Sequence, residues 1–173
     1  AFFLVANALG CDIQCDGLDK DSLQGDKQII EIINSIKNSD GSLSPFNVDV
    51  GEIPDLVPIL SVLASFCDGK STITNASRLR IKECDRLEAM EVCINAIGGR
   101  VTSTEDSLII EGVESFKGGI VDSYNDHRIA MAMAIASTKC ENELTINGAE
   151  CVEKSYPHFF EHIKMLGGIL GQG

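Results

Sequence analysis

The densest group of positive charges in the sequence lies between Arg78 and Arg86, in the segment RLRIKECDR. An amphipathic helix is predicted directly after it, so one interpretation is a solvated lead-in with Asp85 near the helix N-terminus. The alternative is an anion site, in which the forked guanidinium of Arg86 binds a carboxylate or a phosphate. Glu83 lies between cations, so it would stay ionised and could still exchange a proton with a bound ligand.

A second polar group, Asn125-Asp126-His127-Arg128, stands directly before an apolar helix that is predicted from Ile129. Asn or Asp ahead of a helix is commonly an N-cap, and in that interpretation His127 only orders the turn. Arg128 fits less well, because a cation in the first turn opposes the helix dipole. A bound anion between Arg128 and the helix would remove this conflict.

Two further residues occupy corresponding polar corners. Asp55, in the segment IPD, opens another apolar helix and is locally typical of an N-cap. Lys154 stands ahead of the last predicted helix, where a solvated side chain is the default interpretation. Both positions gain interest only because the other charged groups also stand at helix starts.

His158, Glu161 and His162 spell H-x-x-E-H, a pattern that also occurs in one class of zinc peptidases. At helical spacing the two histidines would share a face. The chain has one other histidine, and no acidic candidate for a third ligand follows Glu161. We therefore discount zinc hydrolysis and assign no residue and no cysteine to a metal.

An internal repeat must position these corners: an apolar helix, a short strand, a polar corner and an amphipathic helix follow one another three times. The second and third copies each end at a Gly-Gly pair, a usual stop for a helix. The predicted helix, strand and helix lie at residues 2–9, 11–15 and 26–36 in the first copy, 56–66, 71–75 and 85–97 in the second, and 129–137, 144–147 and 157–166 in the third, with further strands at 100–103 and 107–111.

Helices that are apolar on every side must be buried. Three of them in equivalent repeats predict an α/β (α+β) domain with helices inside and short sheets outside, rather than a doubly wound sheet. The repeat offset of roughly 60 to 70 residues exceeds solenoid periods. If the copies are related by pseudo-symmetry, the N-termini of the buried helices meet, and their free N–H groups favour anions there.

Composition narrows the classes of function. The 173 residues, 44% hydrophobic and 23% charged, suffice for one well-cored domain or two small ones. A formal charge of -12 and an aromatic content of 5% argue against nucleic-acid and membrane partners, so an anionic ligand needs a local basic cluster. The seven cysteines are scattered without a C-x-x-C pair, which is typical of reduced thiols in a cytoplasm.

The first nine residues are apolar but lack a basic leader, so neither a secretory signal nor a membrane span is expected there. The chain starts at Ala1 and its first methionine is Met90. We therefore expect the sequence to be a piece of a longer chain, cut within a helix.

Five segments stand out together: SLQGD at 22–26, IPD at 53–55, RIKECDR at 80–86, YNDHRIAM at 124–131 and KSYPHFF at 154–160. In this order they resemble the 5-enolpyruvylshikimate-3-phosphate (EPSP) synthase family. The resemblance covers almost the whole chain, and the motifs K-E-x-D-R and D-H-R are specific when they occur together.

The resemblance implies that residues 1–173 form one C-terminal globular domain of a two-domain enzyme. Each domain of the family is an inside-out α/β barrel of three βαβαββ units. The units of this chain would span about 1–50, 51–122 and 123–173.

The resemblance also implies a reaction: the family transfers the enolpyruvyl group of phosphoenolpyruvate to the 5-hydroxyl of shikimate 3-phosphate. The transfer is an addition–elimination through a tetrahedral phospho-ketal, and it needs no metal or organic cofactor. By motif, Asp55 is expected to hold and deprotonate the hydroxyl, and Glu83 to carry a proton at the enolpyruvyl methylene. The implied substrate-binding residues are Lys82 toward shikimate 3-phosphate, Arg86, Arg128 and Lys154 toward phosphoenolpyruvate, and Asp126 and His127 within the shared motif.

Several points depart from the family pattern. Cys84 stands where many members carry Ser or Thr, and Arg78 where some carry a substrate-contacting Asn. Other substrate contacts belong to the N-terminal domain, which is expected as the missing partner in the same chain. We therefore expect this chain alone to fold but to be inactive.

Two alternatives stay open. The first is an enolpyruvyl transferase of the same fold that acts on UDP-N-acetylglucosamine. The second is a non-catalytic anion-binding domain, whose phosphate binding would not respond to Asp55→Ala or Glu83→Gln. If the enzymatic interpretation is correct, four cations should face one open surface with these two acids beside them: Lys82, Arg86, Arg128 and Lys154.

Overall fold

The computed structural model describes residues 1–16 and 25–171. The helices are α1 (Phe2–Ala8), α2 (Gln28–Ile36), α3 (Val57–Ala64), α4 (Arg86–Ala96), α5 (His127–Ala136) and α6 (Phe159–Met165). The strands are β1 (Asn47–Asp49), β2 (Lys70–Thr74), β3 (Arg100–Ser103), β4 (Leu108–Glu111), β5 (Gly119–Asp122) and β6 (Leu144–Asn147). Short 3-10 helices include Pro54–Leu56, Ser77–Ile81 and Ala149–Lys154. Of the helices in these two stretches, none has the length and apolar character that a membrane crossing requires.

Two apolar helices form the centre of the core, as the sequence predicts. Every residue of α3 is buried, as is every residue of α5 after its first two, and the two helices pack against each other. The hydroxyl of Ser61 inside α3 donates to the Val57 carbonyl at 2.8 Å, so this buried polar group is satisfied within its own helix. α1 lies against both helices and buries Val5 and Ala6.

Short sheets cover the buried helices. One has the strand order β1-β2-β4-β3, with β1 parallel to β2 and the other neighbours antiparallel. The other pairs β5 with β6 in parallel. Alternation along β2 buries Ser71 and Ile73 and exposes Lys70, so one face of the sheet packs on the helices. Helices inside and sheets outside are thus confirmed.

The order βαβαββ occurs in full from β1 to β4, and the next copy runs β5, α5, β6, α6. The strands β1 and β5 were not predicted from the sequence. Because these strands lead their copies, the observed units begin at residues 47 and 119, ahead of the expected starts at 51 and 123. Strands this short show no clear pattern in the sequence. They are stabilised by pairing, β1 with β2 and β5 with β6.

The strand predicted at residues 11–15 is wrong, because this segment has no regular secondary structure. At its centre, the backbone groups of Ile13 bind a side chain instead of a neighbouring strand. The Ile13 N–H donates to the Asn7 Oδ1 at 2.7 Å, and the Asn7 amide donates back to the Ile13 carbonyl.

The amphipathic helix α4 is confirmed, with Leu87, Met90 and Ile94 fully buried. Its Gly-Gly stop has a steric reason, since a Cβ on Gly99 would lie 2.2 Å from the Ile94 Cγ2. The end of α6 repeats this arrangement: a Cβ on Gly168 would lie 2.5 Å from the Ile163 Cγ2. The two copies therefore share a close-packed helix end as well as an order of elements.

Candidate active site

Arg86, the first residue of α4, is the centre of a charged cluster and is only 1% exposed. Its Nε donates to the Asp126 Oδ2 at 2.6 Å and its Nη1 to the Asp55 Oδ1 at 2.9 Å. Its Nη2 donates to the Glu83 Oε2 at 2.7 Å. Burial alone would lower the pKa of Arg86, but the carboxylates, led by Asp126, raise it, so the guanidinium stays charged.

This burial corrects one expectation about Arg86. We expected its side chain to face an open surface and to bind a ligand by its fork, whereas its nitrogens are already engaged by three carboxylates. A ligand anion can approach Arg86 only from the side of Asp55 and Glu83, because Asp126 is fully buried. The charge of Arg86 therefore acts on the site mainly through the two acids.

Asp126 is the N-cap of α5 and is 0% exposed. Its Oδ1 accepts from the Arg128 N–H at 2.9 Å, so one carboxylate caps the helix and also binds Arg86. The turn before it is tight, since Tyr124 and Asn125 have φ values of 52° and 56°. The start of α5 is thus held by the tight turn before it and by the Asp126 carboxylate, which is itself bound to Arg86.

Asp55 lies within the 3-10 helix Pro54–Leu56, ahead of α3, and its side chain caps no backbone N–H. The local N-cap interpretation is therefore wrong for this residue. Its Oδ2 lies 3.0 Å from the Arg128 Nη2, and its Oδ1 lies 3.8 Å from the Lys82 Nζ. Burial would raise the pKa of Asp55, but Arg128, Arg86 and Lys82 outweigh it and lower the pKa below 3.8. Asp55 is an ionised carboxylate that remains partly open to solvent.

Arg128 joins the starts of the two central helices. Besides its ion pair with Asp55, its Nη1 donates to the Asp55 carbonyl at 3.2 Å. The prediction that the N-termini of α3 and α5 lie together is thus confirmed. The cation in the first turn of α5 has its anion, which in this structure is the Asp55 carboxylate.

Lys82 and Glu83 stand on an exposed loop ahead of α4. Their side chains are 34% and 40% exposed, yet each is tethered to the cluster, Lys82 through Asp55 and Glu83 through Arg86. Lys154, at the end of the 3-10 helix Ala149–Lys154, donates to the Asn125 carbonyl at 2.8 Å and to its Oδ1 at 2.7 Å. The structure therefore brings Lys154 to the same helix-start turn.

His127 begins α5 and is partly buried. Burial lowers its pKa, and this effect outweighs the nearby Asp126 carboxylate, so the ring is neutral at pH 7. Its Nδ1 is buried and has no hydrogen-bond partner in the described part of the chain. The role that the motif implies for His127 stays a prediction.

Comparison with known proteins places this cluster in a family. The family model for EPSP synthase, described as 3-phosphoshikimate 1-carboxyvinyltransferase, matches residues 1–163. The chain belongs to the EPSP synthase family. A 3-phosphoshikimate 1-carboxyvinyltransferase of Clostridioides difficile (strain 630) is 49% identical to it, and one of Clostridium kluyveri is 51% identical, each over 97% of this chain.

Solved structures agree with the family assignment. An EPSP synthase of Acinetobacter baumannii matches 96% of this chain at a TM-score of 0.80 and 28% identity, and this chain covers 44% of that one. The enolpyruvyl transferase NikO of Streptomyces tendae matches 74% of this chain at a TM-score of 0.58 and 21% identity, which bears on the fold alone. The chain spans 41–42% of the length of the two curated relatives.

Part of one family motif lies outside the described residues, and other motif residues make contacts that the sequence did not predict. In the SLQGD segment, residues 22–24 lie outside the described residues, whereas the Asp26 Oδ2 lies 3.9 Å from the Arg128 Nη1. Asn125, which holds Lys154, was not singled out as a contact, because a backbone carbonyl acceptor leaves no signal in a sequence. The Arg78 Nη1 reaches the Gly51 carbonyl at 3.4 Å.

The H-x-x-E-H segment is engaged in local contacts. The His158 Nδ1 lies 2.9 Å from the Glu161 Oε2, and the Tyr156 hydroxyl lies 2.8 Å from the His162 Nδ1. Within residues 1–16 and 25–171, no group of three or more His, Cys, Asp or Glu residues is arranged to hold a metal ion.

Proposed function

We propose that this chain forms one side of the active site of an EPSP synthase, as a single C-terminal domain of a longer two-domain polypeptide. The reaction is transfer of the enolpyruvyl group from phosphoenolpyruvate to the 5-hydroxyl of shikimate 3-phosphate, with release of phosphate. One observation carries the proposal: Asp55 is ionised, partly open, and in contact with cations from two other segments. Family membership supplies the reaction, and this carboxylate supplies a group that the reaction requires.

In this proposal Asp55 acts on the attacking hydroxyl. A carboxylate at the start of α3 accepts the hydroxyl proton as the oxygen bonds to C2 of phosphoenolpyruvate. Arg128 and Lys82 hold Asp55 in place, and its lowered pKa keeps it unprotonated before the reaction. Glu83, protonated once the substrates are bound, delivers its proton to the methylene carbon as that C–O bond forms. It takes a proton back from the resulting methyl group as the C–O bond to phosphate breaks, and the proton held by Asp55 leaves with the phosphate.

The cations of the cluster already have carboxylate partners before any substrate binds. Lys82, Arg86 and Arg128 face Asp55, Glu83 and Asp126, and the Arg128 Nη1 also lies 3.9 Å from the Asp26 Oδ2. The two substrates bring phosphate and carboxylate groups, so they must share these cations with the resident acids. Protonation of Glu83 before the addition weakens its ion pair with Arg86, which frees positive charge for the anionic groups of the incoming substrates. Lys154, next to Asn125, adds a further cation to bind phosphoenolpyruvate.

The test uses the complete polypeptide that carries this chain, with phosphate release and EPSP formation measured from both substrates. Asp55→Ala and Glu83→Gln are expected to lower kcat by about 10²- to 10⁴-fold, the usual contribution of a positioned acid or base. The control is Lys70→Met, which removes an exposed cation paired with Glu111 at 3.3 Å across the outer sheet. Its kcat should match that of the unmodified protein.

Three other outcomes decide between the alternatives. Product from UDP-N-acetylglucosamine, and none from shikimate 3-phosphate, would favour the other enolpyruvyl transferase. Phosphate binding without turnover, unaffected by Asp55→Ala or Glu83→Gln, would favour a non-catalytic anion-binding domain. This chain by itself should give no product, since it offers one side of the site; product at the rate of the complete polypeptide would contradict that part of the proposal.

We also propose that the enzyme works in the cytoplasm. All seven cysteines are free thiols, and three of them are buried in the domain. A protein exposed to an oxidising compartment rarely keeps so many unpaired thiols. Labelling of all seven by a thiol reagent after denaturation without reductant would support this location, and a lower count would contradict it.

A further inference from the structure

The loop at residues 81–84 carries two of the proposed site residues, Lys82 and Glu83. It leaves the 3-10 helix Ser77–Ile81 and ends at Asp85, the N-cap of α4. Ile81 is 86% exposed, so the loop has little apolar packing of its own to fix it. Among the residues that the structure describes, its two functional side chains are held by ion pairs to Asp55 and Arg86. The position of the loop backbone therefore depends on contacts made by the residues at its two ends.

Arg80 makes a three-way contact at the start of this loop. Its Nη1 donates to the Asp85 Oδ2 at 2.6 Å, and its Nε donates to the Glu105 carbonyl at 2.9 Å. Its Nη2 donates to the Thr104 carbonyl. The turn between β3 and β4 provides both carbonyls, and the backbone of the same turn also accepts the Ala76 N–H at 2.7 Å. The guanidinium thus ties the start of the loop to a neighbouring hairpin.

Asp85 completes the connection at the other end of the loop. Its Oδ1 accepts the Glu88 N–H at 3.1 Å and caps α4, whereas its Oδ2 binds Arg80. The Arg80–Asp85 pair therefore closes residues 81–84 into a short ring of chain, fixed to the hairpin on one side and to α4 on the other. Both side chains are about 30% exposed, so solvent only partly screens the pair.

We propose that Arg80 is a positioning residue, which holds the loop of Lys82 and Glu83 in register with Asp55 and Arg86 without touching substrate. The sequence grouped Arg80 with three other cations as a candidate anion site. The geometry assigns it to the hairpin and to Asp85 instead, because all three donor nitrogens of its guanidinium are engaged there. The expected effect of Arg80 on kcat rests on the proposed function. Its expected effect on the structure of the loop does not.

The test compares three variants in the complete polypeptide. Arg80→Met removes the guanidinium and keeps a long apolar stem; kcat should fall by about tenfold or more, since displacement by about 1 Å costs that much in a preorganised site. The KM for phosphoenolpyruvate should change less than about threefold, because Arg128 and Lys154 lie outside the loop. Asp85→Asn keeps a good N-cap but loses the charge, so it should repeat the effect. Arg80→Lys should recover part of kcat, because it keeps the charge but not the fork.

Amide hydrogen exchange provides a readout that does not depend on turnover. The amides to follow are those of Ala76, which donates to the Asp106 carbonyl of the hairpin, and Glu88, which donates to Asp85. Their exchange should be at least about fivefold faster in Arg80→Met, while exchange at the start of α5 stays unchanged. The matched control is Arg100→Met, which removes an exposed arginine at the other end of the β3–β4 hairpin and should alter neither kcat nor exchange of the Ala76 and Glu88 amides.

The outcomes separate this inference from the proposed function. An unmodified polypeptide that makes no EPSP would overturn the proposed function, and faster exchange in Arg80→Met would still support the role of Arg80 in holding the loop. Unchanged exchange of the Ala76 and Glu88 amides would overturn that role. So would a kcat per folded molecule that is the same with and without Arg80, in an enzyme that does make EPSP.

Discussion

The starts of α3 and α5 each carry an aspartate, and the two aspartates do different things. Asp126 is fully buried, caps α5 and binds Arg86. Asp55, ahead of α3, is 37% exposed, caps nothing, and contacts Arg86, Arg128 and Lys82. Equivalent places in two copies of one unit thus hold a fixed structural carboxylate and an accessible one.

The prolines near Asp55 explain why its side chain does not cap α3. Pro54 and Pro58 stand in the first turns at the start of α3, and neither has a backbone N–H to satisfy. The Leu56 N–H is met by the Ile53 carbonyl at 3.0 Å. In α5 the Arg128 N–H needs an acceptor, and Asp126 provides it. A helix start that needs no cap leaves its carboxylate available for chemistry.

The largest expected effect on stability follows from replacing the buried aspartate. Asp126→Ala should lower the free energy of unfolding by about 3–5 kcal/mol, because it leaves the buried Arg86 with only partly exposed partners. Asp126→Asn should retain the cap and so lose about 1 kcal/mol less. Urea denaturation of the purified protein measures both values. A loss below about 1 kcal/mol for Asp126→Ala would show that Asp55 and Glu83 alone neutralise Arg86.

The same substitution at the other helix start should have a much smaller effect on stability. Asp55→Asn is expected to change the free energy of unfolding by less than about 1 kcal/mol, since its pairs are partly exposed. The pKa of Asp55 is lowered in the folded protein, so its stabilisation is complete above the ordinary value of 3.8 and is lost as the pH falls below it. The stability difference between Asp55→Asn and the unmodified protein should be constant from about pH 5 to pH 8 and shrink below pH 4. A difference that varies above pH 5 would assign the effect to another group.

The sequence was informative about the elements and less so about these two aspartates. The apolar runs of α3 and α5 predicted buried helices, because no other arrangement hides residues on every side of a helix. The strands β1 and β5 were missed, since three or four residues carry too little periodicity and depend on a partner strand. The charged residues that the motifs singled out lie together in the structure, and their roles stay predictions. That Arg86 is buried and Asp126 fixed depends on contacts between segments 40 residues apart, which local pattern does not encode.

The smallest expected effect is on the alkylation rate of Cys84, whose thiol lies near the buried carboxylate of Asp126. Its Sγ lies 3.9 Å from the Asp126 Oδ2, and burial, followed by the charge of Asp126, raises the pKa of Cys84 to about 12. At pH 8 only about one thiol in ten thousand is a thiolate, so alkylation of Cys84 by iodoacetamide should be very slow. Asp126→Asn removes one negative charge beside the thiol, and we expect alkylation to become about three- to tenfold faster.

Cys67 separates this charge effect from a general loosening of the fold. Its thiol is also buried, and burial raises its pKa to about 11, but the Asp126 carboxylate makes no contribution there. Peptide mass spectrometry of the alkylated protein gives both rates in one experiment. Faster alkylation at Cys84 alone would show that the negative charge of Asp126 acts on the Cys84 thiol. Equal acceleration at both cysteines would mean that Asp126→Asn acts by unfolding, and unchanged rates would show that Arg86 already cancels the charge of Asp126 at the Cys84 thiol.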